Sequence, residues 1–187
     1  TVATYDRPES SHWLIFPYHR QGENVSLISA AVMAAEFPET WRYLKSQASS
    51  LRARESGKVN QESWYGYIYR KNLTEFDDPK LIVQVISNRA RYAYDCNGLY
   101  FTGGGNGPYY GVRWQRQGRC ESIHYLQAVL GSHLSDFIIR QVSTTFRGGY
   151  WSYAKRYIEQ IPLRTIDFDD PADVARHDRL VSLVEAM

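Results

Sequence analysis

The stretch that most limits what this chain can become is Lys80-Leu-Ile-Val-Gln-Val-Ile86. Apart from Lys80 and Gln84 it is an unbroken apolar run, rich in β-branched side chains. Such a run predicts a strand covered on both faces, and so one that is central in its sheet. A second strand is expected over Arg89, Arg91, Tyr92 and Tyr94, ending at Asp95-Cys-Asn-Gly98. Asn97-Gly98 supplies the positive φ angles of a hairpin turn, and Leu99-Tyr-Phe-Thr102 reads as the return strand. Nearer the start, His12-Trp-Leu-Ile-Phe16 reads as a strand ending at Pro17. Asn24-Val-Ser-Leu-Ile28 reads as its neighbour, with a turn at Gln21-Gly22. The stretch Ala30–Glu36 fits neither period.

Helices supply the cover. Pro38 stands at the first-turn position that proline tolerates. Trp41, Leu44, Ala48 and Leu51 then recur at helical spacing, with Arg42, Lys45, Arg52 and Arg54 on other faces. The helix ends before Gly57. Ser122–Leu130 is amphipathic through Ile123, Leu126 and Leu130, and Gly131-Ser132 breaks it. Leu134, Phe137 and Ile138 carry a second helix to about Val142. Asp170-Pro171 opens a terminal helix with Val174, Leu180, Val181 and Val184 toward the core. Strands followed by helices give an α+β fold: a mixed twisted sheet with several helices.

The segment Phe146-Arg-Gly-Gly-Tyr-Trp-Ser-Tyr-Ala-Lys-Arg-Tyr-Ile-Glu-Gln-Ile-Pro162 carries the strongest functional signal. Between Asp136 and Glu159 there is no acid, but there are Arg140, Arg147, Lys155 and Arg156. Gly148-Gly149 reads as a turn feeding a short helix from about Trp151 to Gln160, which would offer free backbone N–H groups to an anion. Tyr150, Trp151 and Tyr153 stand among these cations. The bland alternative is a loop before a core helix, with its cations in water.

The 187 residues fit one domain, residues 1–187, and 43% hydrophobic content suffices for its core. The chain starts at Thr1 and reads as a piece of a longer one. Neither a secretory signal nor a membrane span is read, and the setting expected is a reducing cytoplasm. Net charge is only +2, but acids crowd Glu75–Asp78 and Asp167–Asp178, so the middle of the chain is basic. The 15 tyrosines and 5 tryptophans suit stacking on planar ligands as well as ordinary strands.

Catalytic patterns are not found. Cys96 and Cys120 make no metal motif, and His12, His19, His124, His133 and His177 lack ligand spacing. Cys96 lacks a positioned base. Gly103-Gly-Gly-Asn-Gly107 is followed by Pro108 and two tyrosines rather than a helix, so it is not a phosphate-binding loop of the nucleotide-hydrolase kind. Residues 103–119 nevertheless hold Arg113, Arg116 and Arg119 without an acid, as a loop that follows a phosphate backbone would. Asp167, Asp169 and Asp170 read as a polar linker with a helix cap.

The order of motifs is more specific than any one of them. Ile15-Phe-Pro-Tyr18, the Trp41–Arg54 helix, Trp64 with Arg70, Pro79-Lys-Leu-Ile82, the strand to Asp95 with Gly98, Tyr125-Leu through Leu130-Gly-Ser132, and Gly148-Gly149 through Lys155-Arg156 to Ile161-Pro162 follow one another along nearly the whole chain. In this order the chain resembles the TaqI-like C-terminal specificity domain, the target-recognition module of adenine-N6 DNA methyltransferases and of fused restriction-modification enzymes. Gly131 departs from the Asn common before Ser in such domains.

The resemblance implies a partner, double-stranded DNA, and an N-terminal methyltransferase domain in the same chain that carries S-adenosylmethionine. Neither an Asn-Pro-Pro-Tyr/Phe motif nor a cofactor loop occurs in these 187 residues, so no catalysis, cofactor or metal is expected of them alone. Phosphate contacts are expected from Arg54, Lys71, Arg147, Lys155, Arg156 and the Gly148 and Gly149 amides. Base edges are assigned to Arg89, Arg91 and Arg113, and aromatic contacts to Trp64 and Tyr150. Two other readings compete. One is a carbohydrate-binding module stacking sugars on Trp64, Trp114 and Trp151. The other is a magnesium-dependent hydrolase built on the C-terminal aspartates.

Overall fold

Pro17 decides where the first strand begins. In the computed structural model of the chain, which describes Tyr5 and residues 7–22, 24–59, 61–103, 107–114 and 121–187, β1 spans Tyr18–Gln21 and β2 spans Asn24–Leu27. They pair antiparallel from Tyr18 opposite Leu27 to Gln21 opposite Asn24, with Gly22 at positive φ in the turn. His12–Phe16, expected as the strand itself, lies outside any strand. The Pro17 carbonyl accepts the Ile28 N–H, so pairing starts at the proline instead of ending there. Trp13 is fully exposed.

These strands belong to a small unit, Ser11–Phe76. The ambiguous stretch is a helix: α1 spans Ala30–Glu36, and the Ser29 hydroxyl accepts the Val32 N–H at its start. Pro38 opens α2 (Pro38–Ser46), as expected, and α3 (Ala48–Arg52) follows after a break at Gln47. The apolar face read from the sequence packs where it should. Leu44 is buried with Met33, Ile28, Trp64 and Tyr65, and Trp41, Ala48 and Leu51 close over them. The Tyr65 hydroxyl donates to the Ile28 carbonyl at 2.7 Å, which ties the irregular 61–76 segment to this core.

The larger unit holds Asp77–Met187. Its central strand is the apolar run: β3 (Lys80–Gln84) lies between β5 (Tyr92–Asp95) and β6 (Tyr109–Val112), antiparallel to both. Leu81 and Val83 point to a core shared with helices, at about 2 kcal/mol per buried side chain. Ile82 and Ala93 point the other way and are covered by Leu99, Phe101 and Tyr109. This corrects the expected return strand at Leu99–Thr102. The Asp95 carboxylate accepts the Asn97 and Leu99 N–H groups, both at 2.9 Å. The chain therefore turns aside and crosses the sheet's second face, and the third strand comes from 109–112. Gly98 has the positive φ expected of it.

Beyond Gln84 the chain leaves this sheet at Val85. The two residues Ile86–Ser87, as β4, join a second sheet, in which β8 (Tyr150–Ser152) lies between β4 and β7 (Thr145–Phe146). Two helices follow the sequence reading in position. α4 (Ile123–Leu130) is capped by Ser122 and α5 (His133–Val142) by Ser132, each through its hydroxyl. Leu126 and Leu130 are buried. On α5 the expected apolar set is split: Ile138 packs against the core, Leu134 and Phe137 are 69% and 60% exposed, and Ser135 and Ile139 are buried. α6 is one turn, Lys155–Ile158. α7 (Pro171–Glu185) starts at Asp170, whose carboxylate accepts the Ala172 N–H. It packs on α4, where His177 accepts the Ser122 N–H at 3.1 Å.

Candidate nucleic-acid interface

A single carboxylate joins the two basic stretches of the larger unit. Asp136, on α5, accepts the Ala90 N–H at 2.9 Å, the Tyr153 hydroxyl, and the Arg140 Nε at 2.7 Å. Arg140 reaches on to the Asn88 carbonyl at 2.8 Å and lies 5.5 Å from the Trp151 ring centre. The 88–91 loop and the β7–β8 hairpin are thus fixed to the same helix. Burial opposes ionisation of Asp136, but the bonds from Tyr153, Arg140 and Ala90 outweigh it and hold the carboxyl below its usual range. Burial, with the Asp136 charge beside it, keeps the Tyr153 hydroxyl protonated far above its ordinary range.

The Gly-Gly segment differs from expectation in a way that matters for binding. Phe146 pairs with Tyr150 and Thr145 with Trp151, so Arg147-Gly148-Gly149 is the three-residue tip of a hairpin. Both glycines have positive φ, +86° and +78°, which lets so short a loop reverse the chain. Tyr150–Ser152 is strand, and the helix begins only at Lys155. Aromatic and hydroxyl side chains favour the strand here, and the Tyr153 N–H donates to the Val85 carbonyl at 2.6 Å. The turn therefore does not feed a helix, and no helix end gathers an anion at these glycines. Their amides make no hydrogen bond among the described residues.

The expected site residues fall into three groups. Arg147, Gly148, Gly149, Tyr150, Lys155 and Arg156 lie on or just past the hairpin, and all are exposed. Arg147 has no ion-pair partner among the described residues, Lys155 pairs with Glu159 at 3.3 Å, and Arg156 lies over the Tyr157 ring. Arg89 and Arg91 sit on the Asn88–Arg91 loop; Arg89 is exposed and Arg91 bonds the Asn88 side chain. Arg113 follows β6 and pairs with Asp78 at 2.6 Å. Arg116 and Arg119 lie outside the described residues.

Arg54, Trp64 and Lys71 belong to the small unit. Lys71 is exposed. Arg54 has a different duty from the one expected: its guanidinium donates to the carbonyls of Leu51, Trp64 and Gly66 at 2.6–3.0 Å. It clamps the chain that carries Trp64 instead of facing outward. Trp64 is buried against Trp41 and Tyr65, so its faces are not presented for stacking. Trp114 is half-buried and bonds the Ser122 carbonyl, and Trp151 lies beneath Arg140. Of the three tryptophans of the sugar-stacking reading, Trp64 is buried, and Trp114 and Trp151 are partly buried against the larger unit's core. Asp167 and Asp170 accept backbone N–H groups of their own segment, from Asp169 and Ala172.

Sequence reasoning missed Asp136, which it used only as the edge of an acid-free stretch. The i, i+4 pairing with Arg140 was the available signal. The bond to Ala90, 46 positions away, had none. The pairing of Phe146 with Tyr150 was missed as well, because the hairpin was read as a turn into a helix.

Comparison with known proteins places the chain in a family. The chain is 28% identical over 184 residues to the type II restriction enzyme and methyltransferase RM.Eco57I of Escherichia coli, covering 96% of this chain and 18% of that protein. It is 28% identical over 145 residues to the type II methyltransferase M.XhoI of Xanthomonas vasicola, covering 78% and 24%. It is 25% identical over 159 residues to the type II methyltransferase M.PaeR7I of Pseudomonas aeruginosa, covering 84% and 25%. The chain thus spans a quarter or less of the length of these relatives. Residues 23–163 match the family model described as the TaqI-like C-terminal specificity domain, and the chain belongs to that family.

Proposed function

We propose that this chain is the part of a restriction-modification DNA methyltransferase that binds double-stranded DNA and selects the target sequence. The observation that carries the reading is the exposed, acid-free β7–β8 hairpin, locked to a second basic loop through Asp136 in a specificity-domain fold. Arg147, Lys155, Arg156, Arg89 and the tip amides of Gly148 and Gly149 contact phosphates; Lys71, exposed on the small unit, is a further phosphate candidate by itself. Arg91 and Arg113 are the base-reading candidates, and Tyr150 the aromatic contact. Arg54 and Trp64 act indirectly, by holding the small unit's fold.

The methyl group goes to adenine N6. A catalytic domain elsewhere in the same polypeptide holds S-adenosylmethionine and does the chemistry, in the cytoplasm. The support is the resemblance of the ordered motifs, together with the relatives, which are type II methyltransferases. Within the described residues no helix is long and apolar enough to cross a membrane.

The test has two parts. Binding of the chain to labelled duplex is followed by fluorescence anisotropy across a salt series. A steep linear fall of log affinity with log salt is expected; no binding at low salt refutes the reading. DNA from cells expressing the full-length protein is then sequenced for modified bases. Methylated adenines within one short motif are expected, and methylation confined to cytosine overturns the adenine assignment.

A further inference from the structure

One face of the second sheet carries three large apolar side chains that stay about two-fifths exposed among the described residues, beside the buried Ser152. Cross-strand pairing places Ile86 beside Ser152 and Phe146 beside Tyr150. Side chains alternate along a strand, so Ile86, Tyr150 and Phe146 share a face and Trp151 points to the other. Ile86, Phe146 and Tyr150 are 43%, 43% and 42% exposed. The opposite face is anchored through Arg140 over Trp151. An aromatic pair on a short ribbon, open to water on one side and fixed on the other, is built to be covered by something.

Charge says what covers it. Arg147 is at the tip between the two rings, Lys155 and Arg156 follow the ribbon, and no acid occurs between Asp136 and Glu159. Resting on the reading above, we propose that the β7–β8 hairpin enters the major groove of duplex DNA, with Phe146 and Tyr150 against base edges and Arg147 reaching past them. Two paired strands lie about 4.8 Å apart before side chains are added. That ribbon suits the major groove, about 12 Å wide, and not the minor groove, about 6 Å wide. Apolar rings in the major groove meet the thymine methyl, which distinguishes A·T from G·C without a hydrogen bond. Glycine at 148 and 149 leaves Arg147 as the one side chain at the tip, which keeps the part that enters the groove narrow.

The experiment uses a duplex selected from a randomised pool by the wild-type full-length protein, compared with the unselected pool. In the selected duplex, thymines are replaced by iodouracil, which carries iodine where the methyl group projects into the major groove. Irradiation of the wild-type complex is expected to crosslink Phe146 or Tyr150, mapped by mass spectrometry. The Phe146→Ala, Tyr150→Ala double variant is expected to lose roughly tenfold to a hundredfold in affinity for the selected duplex, little for the unselected pool. The conservative pair Phe146→Tyr and Tyr150→Phe is expected to keep it. Failure of the wild-type full-length protein to select any duplex sinks the DNA-binding reading itself. Successful selection with crosslinks only outside residues 146–150, or with full affinity in the double alanine variant, overturns the groove assignment alone. The crosslink is read on the unaltered chain, so the assignment is decided even if the double variant misfolds.

Discussion

Replacing Asp136 by alanine tests the node that joins the two basic stretches. Three donors lose their acceptor. The Tyr153 hydroxyl belongs to a wholly buried residue, and leaving it unpaired costs about 1–3 kcal/mol. The Ala90 N–H loses a bond worth about 1 kcal/mol. Arg140 is partly exposed, so water takes over most of what its ion pair contributed, and the loss there is below about 1 kcal/mol. The expected destabilisation is about 3 kcal/mol, concentrated in the larger unit. Asp136→Asn keeps an acceptor for the Ala90 and Tyr153 donors and loses the charge and the acceptor that met the partly exposed Arg140, so it should cost about 1 kcal/mol. The sign with pH follows from the lowered pKa of Asp136. Its stabilising contribution is complete above the unfolded carboxyl's pKa, near 4, and is lost as pH falls through the lower folded value. Urea unfolding followed by tryptophan fluorescence, at neutral pH and near pH 3, measures both effects. Wild-type protein should lose more stability than Asp136→Asn across that interval. An alanine variant within about 0.5 kcal/mol of wild type, or an acid response equal in both chains, refutes the node.

Other substitutions separate folding from binding. Asp95→Ala leaves Lys80 as an uncompensated buried charge and should destabilise by about 3–5 kcal/mol in the same unfolding assay. Gly149→Ala forces a side chain to adopt φ +78° and should cost about 1–2 kcal/mol, read as a lower thermal midpoint with an unchanged circular-dichroism spectrum. Lys155→Ala with Arg156→Ala should leave stability nearly unchanged and reduce the slope of log affinity against log salt by about 2; an unchanged slope removes both residues from the phosphate contacts. Arg54→Ala should behave in the opposite way. Loss of its bonds to the Leu51, Trp64 and Gly66 carbonyls should increase amide exchange in the 61–70 segment.

What the sequence revealed depended on how local the cause was. The α2–α3 face at Trp41, Leu44, Ala48 and Leu51 was legible because a helical period is set by neighbours. The central position of Lys80–Gln84 was legible because burial on both faces leaves no polar alternation. The cap at Asp170 was legible because its carboxylate accepts an N–H only two residues on. The partner of β3 was not legible. Leu99–Thr102 and Tyr109–Val112 both have strand composition, and the choice rests on Asp95 drawing the Asn97 and Leu99 amides inward. Gly148-Gly149 was ambiguous for a similar reason. A glycine pair permits a turn but does not say whether strand or helix follows, and Tyr150–Ser152 becomes strand by pairing with residues 86–87, far away in the chain. The cations of the candidate site could be listed from the sequence, but not sorted. Arg54 and Arg140 look like Arg147 on paper, and only their carbonyl partners distinguish clamps from surface charges.

The Lys80–Asp95 pair has a consequence for alignment. The two residues stand directly opposite each other on β3 and β5, with Nζ and Oδ2 2.5 Å apart and both side chains shielded from water. A slip of one position between these strands would turn every side chain of one of them to the opposite face. Lys80 would then lose its counter-charge without gaining water, a penalty of several kcal/mol. The pair therefore acts as a key that admits a single pairing, in a strand whose apolar neighbours would tolerate several. The register of β3 against β5 is thus written into the strands themselves.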